Sequence, residues 1–600
     1  MKLNFYSERI KKFQKEVLQL QKTNKTLSAF RLLSAISAFV LFYVILPYSM
    51  LLASLTALAL IASLVYFVRR YGRNDKRIKK LKGLIEINEN EISCLKTRHS
   101  KLFYNGEEYL KANHAYASDL DVYGAHSLFQ LINRCVSKIG NDTLGMWLNQ
   151  PADNKEIESR QKAVKELNDK IDWRQDIIQY GLSKKLKNDD PDFVSNWGKQ
   201  DSPFHGNKIL FAVISILPIF SLAALIYSFI GSTIPILVLL MVSITIHYRN
   251  FRNVGKAHNN TSKRADMLKI YAQIIHNFEK NDWESEKLSG LKKKLESRDL
   301  RASKKIRRLS KLIELLDQRY NMLVQIIFNA LFFYELHLLY RIDKWKVNYG
   351  HEIRNWFDTI GEIEALSSFA NLSYNHPDWT FPKITSEHFK LDMQDTGHPM
   401  IDEKVRVNND YQLNGPGVIH IVTGSNMAGK STFLRTIGVN VVLALSGAPV
   451  CAKSMLTSNV EVNTSMRIKD SIEENESSFY AELKRIQQVI EKVNKQENTL
   501  LLLDEILRGT NSKDKHTGSK ALIKQLVKYN AVGLVATHDL ELSILENELP
   551  GQVENRFFDI KIDGEELYFD YKVQNGFCKT FNAPILMKKM GIEMEILNKA

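Results

Sequence analysis

Near the C-terminus the nine residues GSNMAGKST, Gly424 to Thr432, have the spacing G-x-x-x-x-G-K-S. A loop of this kind suits phosphate. Gly424 and Gly429 let the backbone curl so that its N–H groups face phosphate oxygens at a helix N-terminus, and Lys430 would neutralise the outer phosphates. The Ser431 hydroxyl would join a Mg²⁺ shell. Two further stretches end in compatible groups. TLLLLDE (Thr499 to Glu505) is an apolar run closing on two carboxylates: Asp504 is expected to hold Mg²⁺ through water, and Glu505 to orient or deprotonate an attacking water. VGLVATHD (Val532 to Asp539) delivers His538, placed to sense a terminal phosphate. Taken singly, the acidic pair reads equally as a helix cap and His538 as a structural histidine. Together they predict hydrolysis of a phosphate anhydride, with ATP and Mg²⁺ bound and Lys430, Glu505 and His538 catalytic.

Such groups need a parallel sheet to bring them together. VIHIVT (Val418 to Thr423), TLLLLDE and VGLVATHD read as buried strands whose C-terminal ends meet at the ligand. Upstream the composition changes. Leu32 to Val68, broken at LPYS, and Ile209 to His247, broken at IGSTIP, each contain two apolar segments of nearly membrane-spanning length. Both read as transmembrane helical hairpins. Basic residues flank them, among them Lys22, Lys25, Arg31, Arg69, Arg70, Arg73, Arg249 and Arg252, while the turns carry no charge. That bias places the soluble segments in the cytoplasm of a multi-pass protein of the cell membrane. A third apolar stretch, Met322 to Ile342, contains Gln325, Asn329, Glu335, His337 and Arg341 and is expected to be a buried soluble helix.

The 600 residues carry 82 Lys and Arg against 67 Asp and Glu, a net charge of +15, which favours polyanionic partners. The 4 cysteines have no paired spacing, so neither a disulfide framework nor a zinc site is expected. The start of the chain lacks the early apolar core of a cleaved signal. Helical spacing of Ile10, Phe13, Val17 and Leu20, and of Ile78, Leu81, Ile85, Ile92 and Leu95, extends the first hairpin as an antiparallel pair interrupted by Asn88. The run LKKKLESRDLRASKKIRRLSKL reads as a solvated helix face, or as contacts to DNA phosphates or anionic lipid.

TGSNMAGKSTFLRTIG, LLLLDEILRGTNSKDKHTGSKAL and ATHDLELS, with SSFYAEL (Ser477 to Leu483) and TGHPMI (Thr396 to Ile401), resemble the MutS family of DNA mismatch-repair ATPases. NGFCKTFNAPILMKKMGIEMEIL is similar to the family's closing helical stretch, GEIEALSSFANLSY to its last core helix, and the region from Leu120 to Leu167 to the start of its core. The resemblance implies an α/β C-terminal ATPase domain of the ABC-type P-loop class, preceded by an all-α core and lever region, working as a homodimer. Gly424, Ser425, Asn426, Met427, Ala428, Gly429, Lys430, Ser431 and Thr432 would hold the nucleotide in cis. Ser431 and Asp504 would hold the metal, and Ser477 would approach the γ-phosphate on the other subunit. Ser425, Ala428, Asn475 and Leu507 stand where the family has proline, glycine, glycine and glycine. The first part of the chain has no evident counterpart of the Phe-x-Glu wedge that reads mispairs, so mismatch recognition is not expected.

The resulting organisation is a hairpin region (1–118), first core part (119–206), second hairpin (207–252), helical lever or arm with the second core part (253–385), and ATPase domain (386–600). The expected function is that of a membrane-anchored ATPase that binds double-stranded DNA. The rival readings are a transporter-like machine, which lacks an L-S-G-G-Q-type signature, and a scaffold whose nucleotide state gates a protein partner.

Overall fold

The computed structural model describes residues 2–577 apart from 112–113, 183–190, 262–263, 297–299, 319–327, 426, 468–477, 495–497 and 564–565. The chain begins with two long antiparallel helices, Lys2–Ile45 and Met50–Thr97, whose turn is closed where the Ser49 hydroxyl accepts the N–H of Leu52. From Phe30 to Val68 their apolar side chains are largely exposed, while Phe30 and Phe67 stack at 5.5 Å. Nearer the core the pair is stitched by Asn74 to Asn24 and by Arg77 to Glu16. Asn88, the interruption in the apolar seam, reaches out of the pair to exchange hydrogen bonds with Gln175 on helix Ile171–Leu182.

The root of this hairpin is sealed into the helical core by polar groups. Glu91, 1% exposed, pairs with Arg134 and accepts from Asn371 and Asn375 on the last core helix, Ile353–Asn375. Tyr6 donates to Asn375. A second buried carboxylate, Glu364 of the same helix, accepts from the backbone N–H groups of Val136 and Ser137 and from the Ser137 hydroxyl. Gly140 makes this approach possible, since a Cβ there would lie 2.1 Å from the carboxylate.

The second hairpin is Lys208–Tyr227, with Pro218 inside it, and Ile234–Thr261. With the two helices of the first, these make four helices long and apolar enough to cross a membrane. One expectation changes here. The Met322 to Ile342 stretch, in its described part, is not one helix but two, Asn329–Phe332 and Tyr334–Tyr349, because Phe333 adopts φ 50° between them. The basic segment, in its described part, packs against the core. Helices Ala265–Glu279, Glu286–Leu295 and Ala302–Asp317 bury their apolar faces in the core, and Lys287 pairs with Glu156 and Glu362, Lys305 with Glu352.

The C-terminal part holds two sheets. Strands β1 (Lys383–Thr385), β2 (Lys390–Thr396), β3 (Asn409–Asn414) and β5 (Ser454–Ser458) form one in the order β1-β5-β2-β3. Strands β4 (Ile419–Thr423), β6 (Glu461–Ser465), β7 (Thr499–Asp504), β8 (Val532–Thr537), β9 (Val553–Asp563) and β10 (Glu566–Asn575) form the other, ordered β10-β9-β4-β8-β7-β6. All its pairings are parallel except that of β10 with β9. Strands β4, β7 and β8 are buried along their whole length, as a sheet covered on both faces requires. Core and sheets are joined tightly. Arg160 donates to the Ser446 carbonyl at the end of helix Lys430–Ser446, and buried Asp119 accepts from Thr464, Met466 and Arg485.

Candidate active site

Strand β4 runs into the glycine loop, and the loop into helix Lys430–Ser446. Gly424 (φ 149°) and Gly429 (φ 102°) take backbone angles that L side chains rarely adopt. A Cβ on Gly429 would also press on the Tyr571 ring at 3.1 Å. The N-cap Gly429 makes no side-chain cap hydrogen bond, and the dipole of a helix N-terminus favours an anion.

The loop opens on a cavity of about 800 Å³. Ser425, Met427, Gly429, Lys430, Ser431, Thr432, Asp504, Glu505 and His538 all line it. Adjacent parallel strands explain the convergence: β4 pairs with β8, and β8 with β7, so their C-terminal ends present the loop, the histidine and the two carboxylates side by side. Ala428 lies in the loop but is buried behind it, and the Gly424 carbonyl is turned toward Lys430. Asn426 and Ser477 lie outside the described residues.

The electrostatics are dense. Lys430 Nζ donates to the carbonyls of Gly424 (2.8 Å) and Ser425 (2.9 Å) and lies 3.3 Å from His538 Nε2. Glu505 (φ 51°) meets His538 Nε2 at 2.8 Å and Arg508 Nε at 3.2 Å. The hydrogen bond from His538, against the opposing effect of burial and with help from Arg508, pulls the Glu505 carboxyl down to about 2. Asp504 and Ser431 supply a carboxylate and a hydroxyl, the hard oxygen donors that suit Mg²⁺.

Three contributors escaped the sequence reading. Arg508 donates to the carbonyls of Asp504 and Glu505 and faces both carboxylates; its place three residues after Glu505 was the available signal. Glu482, within the SSFYAEL stretch, accepts the N–H groups of Leu507 and Arg508 and so anchors the loop after the acidic pair to helix Ser478–Asn494. Phe479 of that helix packs where a Cβ on Gly509 would come within 2.6 Å. Tyr571 reaches the cavity through an irregularity in β10 between Phe569 and Val573, held by Asn409 of β3; sequence offered no sign of it. Leu507, standing where the resembled family has glycine, takes φ 60°, the left-handed region that favours glycine.

A family model described as MutS domain V matches residues 420–600, which contain this loop, strands β7 and β8 and all of β4 but its first residue. Similar curated proteins are named DNA mismatch repair protein MutS. That of Persephonella marina is 32% identical over 245 residues, 40% of this chain and 28% of the relative. That of Methanosarcina acetivorans is 30% identical over 259 residues, 42% and 28% respectively. That of Staphylococcus haemolyticus is 27% identical over 272 residues, 44% and 30%. The matched part thus spans less than a third of each relative's length.

Proposed function

We propose that this chain, of the MutS family by its C-terminal domain, is a membrane-anchored, Mg²⁺-dependent ATPase of the ABC type that acts as a homodimer on double-stranded DNA. The observation that carries the reading is the meeting of Lys430, Ser431, Asp504, Glu505 and His538 in one cavity at the ends of adjacent parallel strands. The glycine loop and the helix N-terminus bind the phosphates. Lys430 exchanges its bonds to Gly424 and Ser425 for phosphate oxygens. Ser431 and Asp504 hold Mg²⁺, which when bound offsets charge on the phosphates. Glu505, hydrogen-bonded to His538 and lining the cavity, orients or deprotonates the attacking water. His538, already hydrogen-bonded to Glu505, links that carboxylate to the terminal phosphate.

Membrane anchorage is supported by the four apolar helices, whose most apolar windows are between 6% and 17% buried, and by their basic flanks. DNA binding is supported by an exposed stripe on and beside helix Ala302–Asp317: Arg301, Lys304, Arg307, Arg308 and Lys311. Nearby His276 is lowered from its usual range by burial and then by Lys280, Arg307, Arg301 and Lys304, an excess of positive charge suited to phosphates.

The test is direct. Full-length protein in detergent should hydrolyse ATP and bind homoduplex and mismatched duplex with similar affinities that fall steeply with salt. Lys430→Ala should abolish turnover, and Lys304→Glu with Arg307→Glu should weaken DNA binding. Unchanged turnover would remove the site assignment, and absence of DNA binding at low salt would remove the DNA assignment.

A further inference from the structure

The Met322 to Ile342 stretch takes no part in the cavity, yet its described portion is clamped to the second hairpin. Ser243 donates to the Asn329 carbonyl at 3.5 Å, His247 stacks on Phe333 with ring centres 5.3 Å apart, His337 meets the Ile214 carbonyl at 2.9 Å, and Tyr340 stacks on Phe211 at 3.9 Å. These contacts fix its level along the hairpin. At the helical rise, Ser243 stands ~14 Å from the turn end at Ile234 and ~9 Å before Arg249, the first cation of that helix. With Arg249 at the headgroups, Asn329 lies at the boundary between headgroups and acyl chains.

Two polar groups of the described portion, Asn329 and Glu335, face inward, while Arg341 near its far end is exposed. Asn329, 8% exposed, accepts the N–H of Glu335 through its side chain, and Glu335 itself is buried. Phe333, 1% exposed at φ 50°, turns the chain there, and burial against His247 holds a bulky residue in a region it rarely occupies. Outside, at the near end of the segment, are two aromatic rings: Phe328 (47% exposed) and Phe332 (36%), with centres 6.0 Å apart. Tyr248 and Phe251 are also exposed beside Arg249. Aromatic residues concentrate at membrane–water boundaries, whereas an apolar patch of this kind in water is unfavourable.

We infer that Phe328 to Phe332 is a third membrane-contacting element, lying in the interfacial layer with Phe328 and Phe332 against lipid acyl chains. The inference rests on the reading of the second hairpin as membrane-inserted. It also explains how an apolar stretch with too many polar groups to cross a bilayer still meets one: Asn329 and Glu335 turn into the protein, and one aromatic edge is left to lipid.

The test uses the full chain in vesicles of phosphatidylcholine and phosphatidylglycerol. In a Cys578→Ser background the remaining Cys94, Cys135 and Cys451 are buried, so nitroxide labels go to Phe328→Cys or Phe332→Cys. Ile219→Cys, 68% exposed, serves as the reference in the second hairpin and Glu541→Cys as the aqueous reference, each variant checked for unchanged circular dichroism. The ratio of oxygen to nickel-chelate collisions is expected to be several-fold higher at 328 and 332 than at 541, and lower than at 219. A ratio at 328 and 332 equal to that at 541, with 219 still high, would overturn the inference while leaving the membrane reading intact. A low ratio at 219 as well would overturn both.

Discussion

At the strand ends of the larger sheet, Lys430, Asp504, Glu505, Arg508 and His538 share a cavity that opens to solvent; at the root of the first hairpin, Tyr6, Glu91, Arg134, Asn371 and Asn375 are enclosed by helices. Each cluster holds a carboxyl below its usual range. Burial opposes ionisation of Glu91, and Arg134 with Asn371 and Asn375 overcomes it. For Glu505 the side chain is 24% exposed, its partners stand on loops, and the backbone at Glu505 and Leu507 is left-handed. A depressed carboxyl therefore does not by itself mark chemistry. Access and exchangeable partners do, and the enclosed cluster has neither.

The largest effect that sharpens the comparison is catalytic. Lys430→Ala or Glu505→Ala should lower steady-state ATP turnover by at least ~100-fold while leaving the thermal midpoint nearly unchanged. A large fall in the midpoint would make the cavity a structural cluster and erase the contrast. The mirror substitution is Glu91→Ala, which strands the Arg134 guanidinium in the interior. Urea unfolding should show a loss of about 3–5 kcal/mol, with turnover per folded molecule preserved.

A third effect separates two buried carboxylates of the same core. Glu364 has hydrogen-bond donors but no cation beside it, and burial, only partly offset by Ser137 and Val136, raises its carboxyl to about 7. Its folded value lies above its unfolded one, so its contribution is fully present below the ordinary carboxylate range and is lost as pH rises through about 7. Glu364→Gln, which can still accept the Val136 and Ser137 N–H groups, should flatten that decline by about 3 kcal/mol. Equal slopes in the two proteins would mean that Glu364 is ionised throughout. The smallest effect is at Glu482. Glu482→Gln keeps one strong acceptor for Leu507 and Arg508 and should lower kcat several-fold, about 1 kcal/mol, with KM unchanged; a shift in KM alone would place Glu482 in nucleotide binding instead of loop anchorage.

Much of the site was legible because each of its parts is local. GSNMAGKST, the carboxylates of TLLLLDE and the histidine of VGLVATHD each sit where an apolar run ends, and a parallel sheet brings such ends together. Arg508 was half-visible, three residues from Glu505. Tyr571 was invisible because its position depends on the β9–β10 pairing and on an irregularity that Asn409, far away in sequence, helps hold in place. The break at Phe333 was missed for a related reason: helical periodicity continues through it, and a ring stacked from another helix decides the backbone.

Sequence by itself determined the glycine loop, the identities of β4, β7 and β8, the four long apolar helices and the excess of positive charge, since each follows from residue type at short spacing. Tertiary structure alone decided which charges are sealed and which are reachable. It turned Asn88 and Glu91 into the joint between hairpin and core, paired Lys287 and Lys305 with acids while leaving Arg301, Lys304, Arg307, Arg308 and Lys311 exposed, and set an aromatic edge at the foot of the second hairpin. Burial and partnership depend on residues hundreds of positions apart, and no local pattern records them.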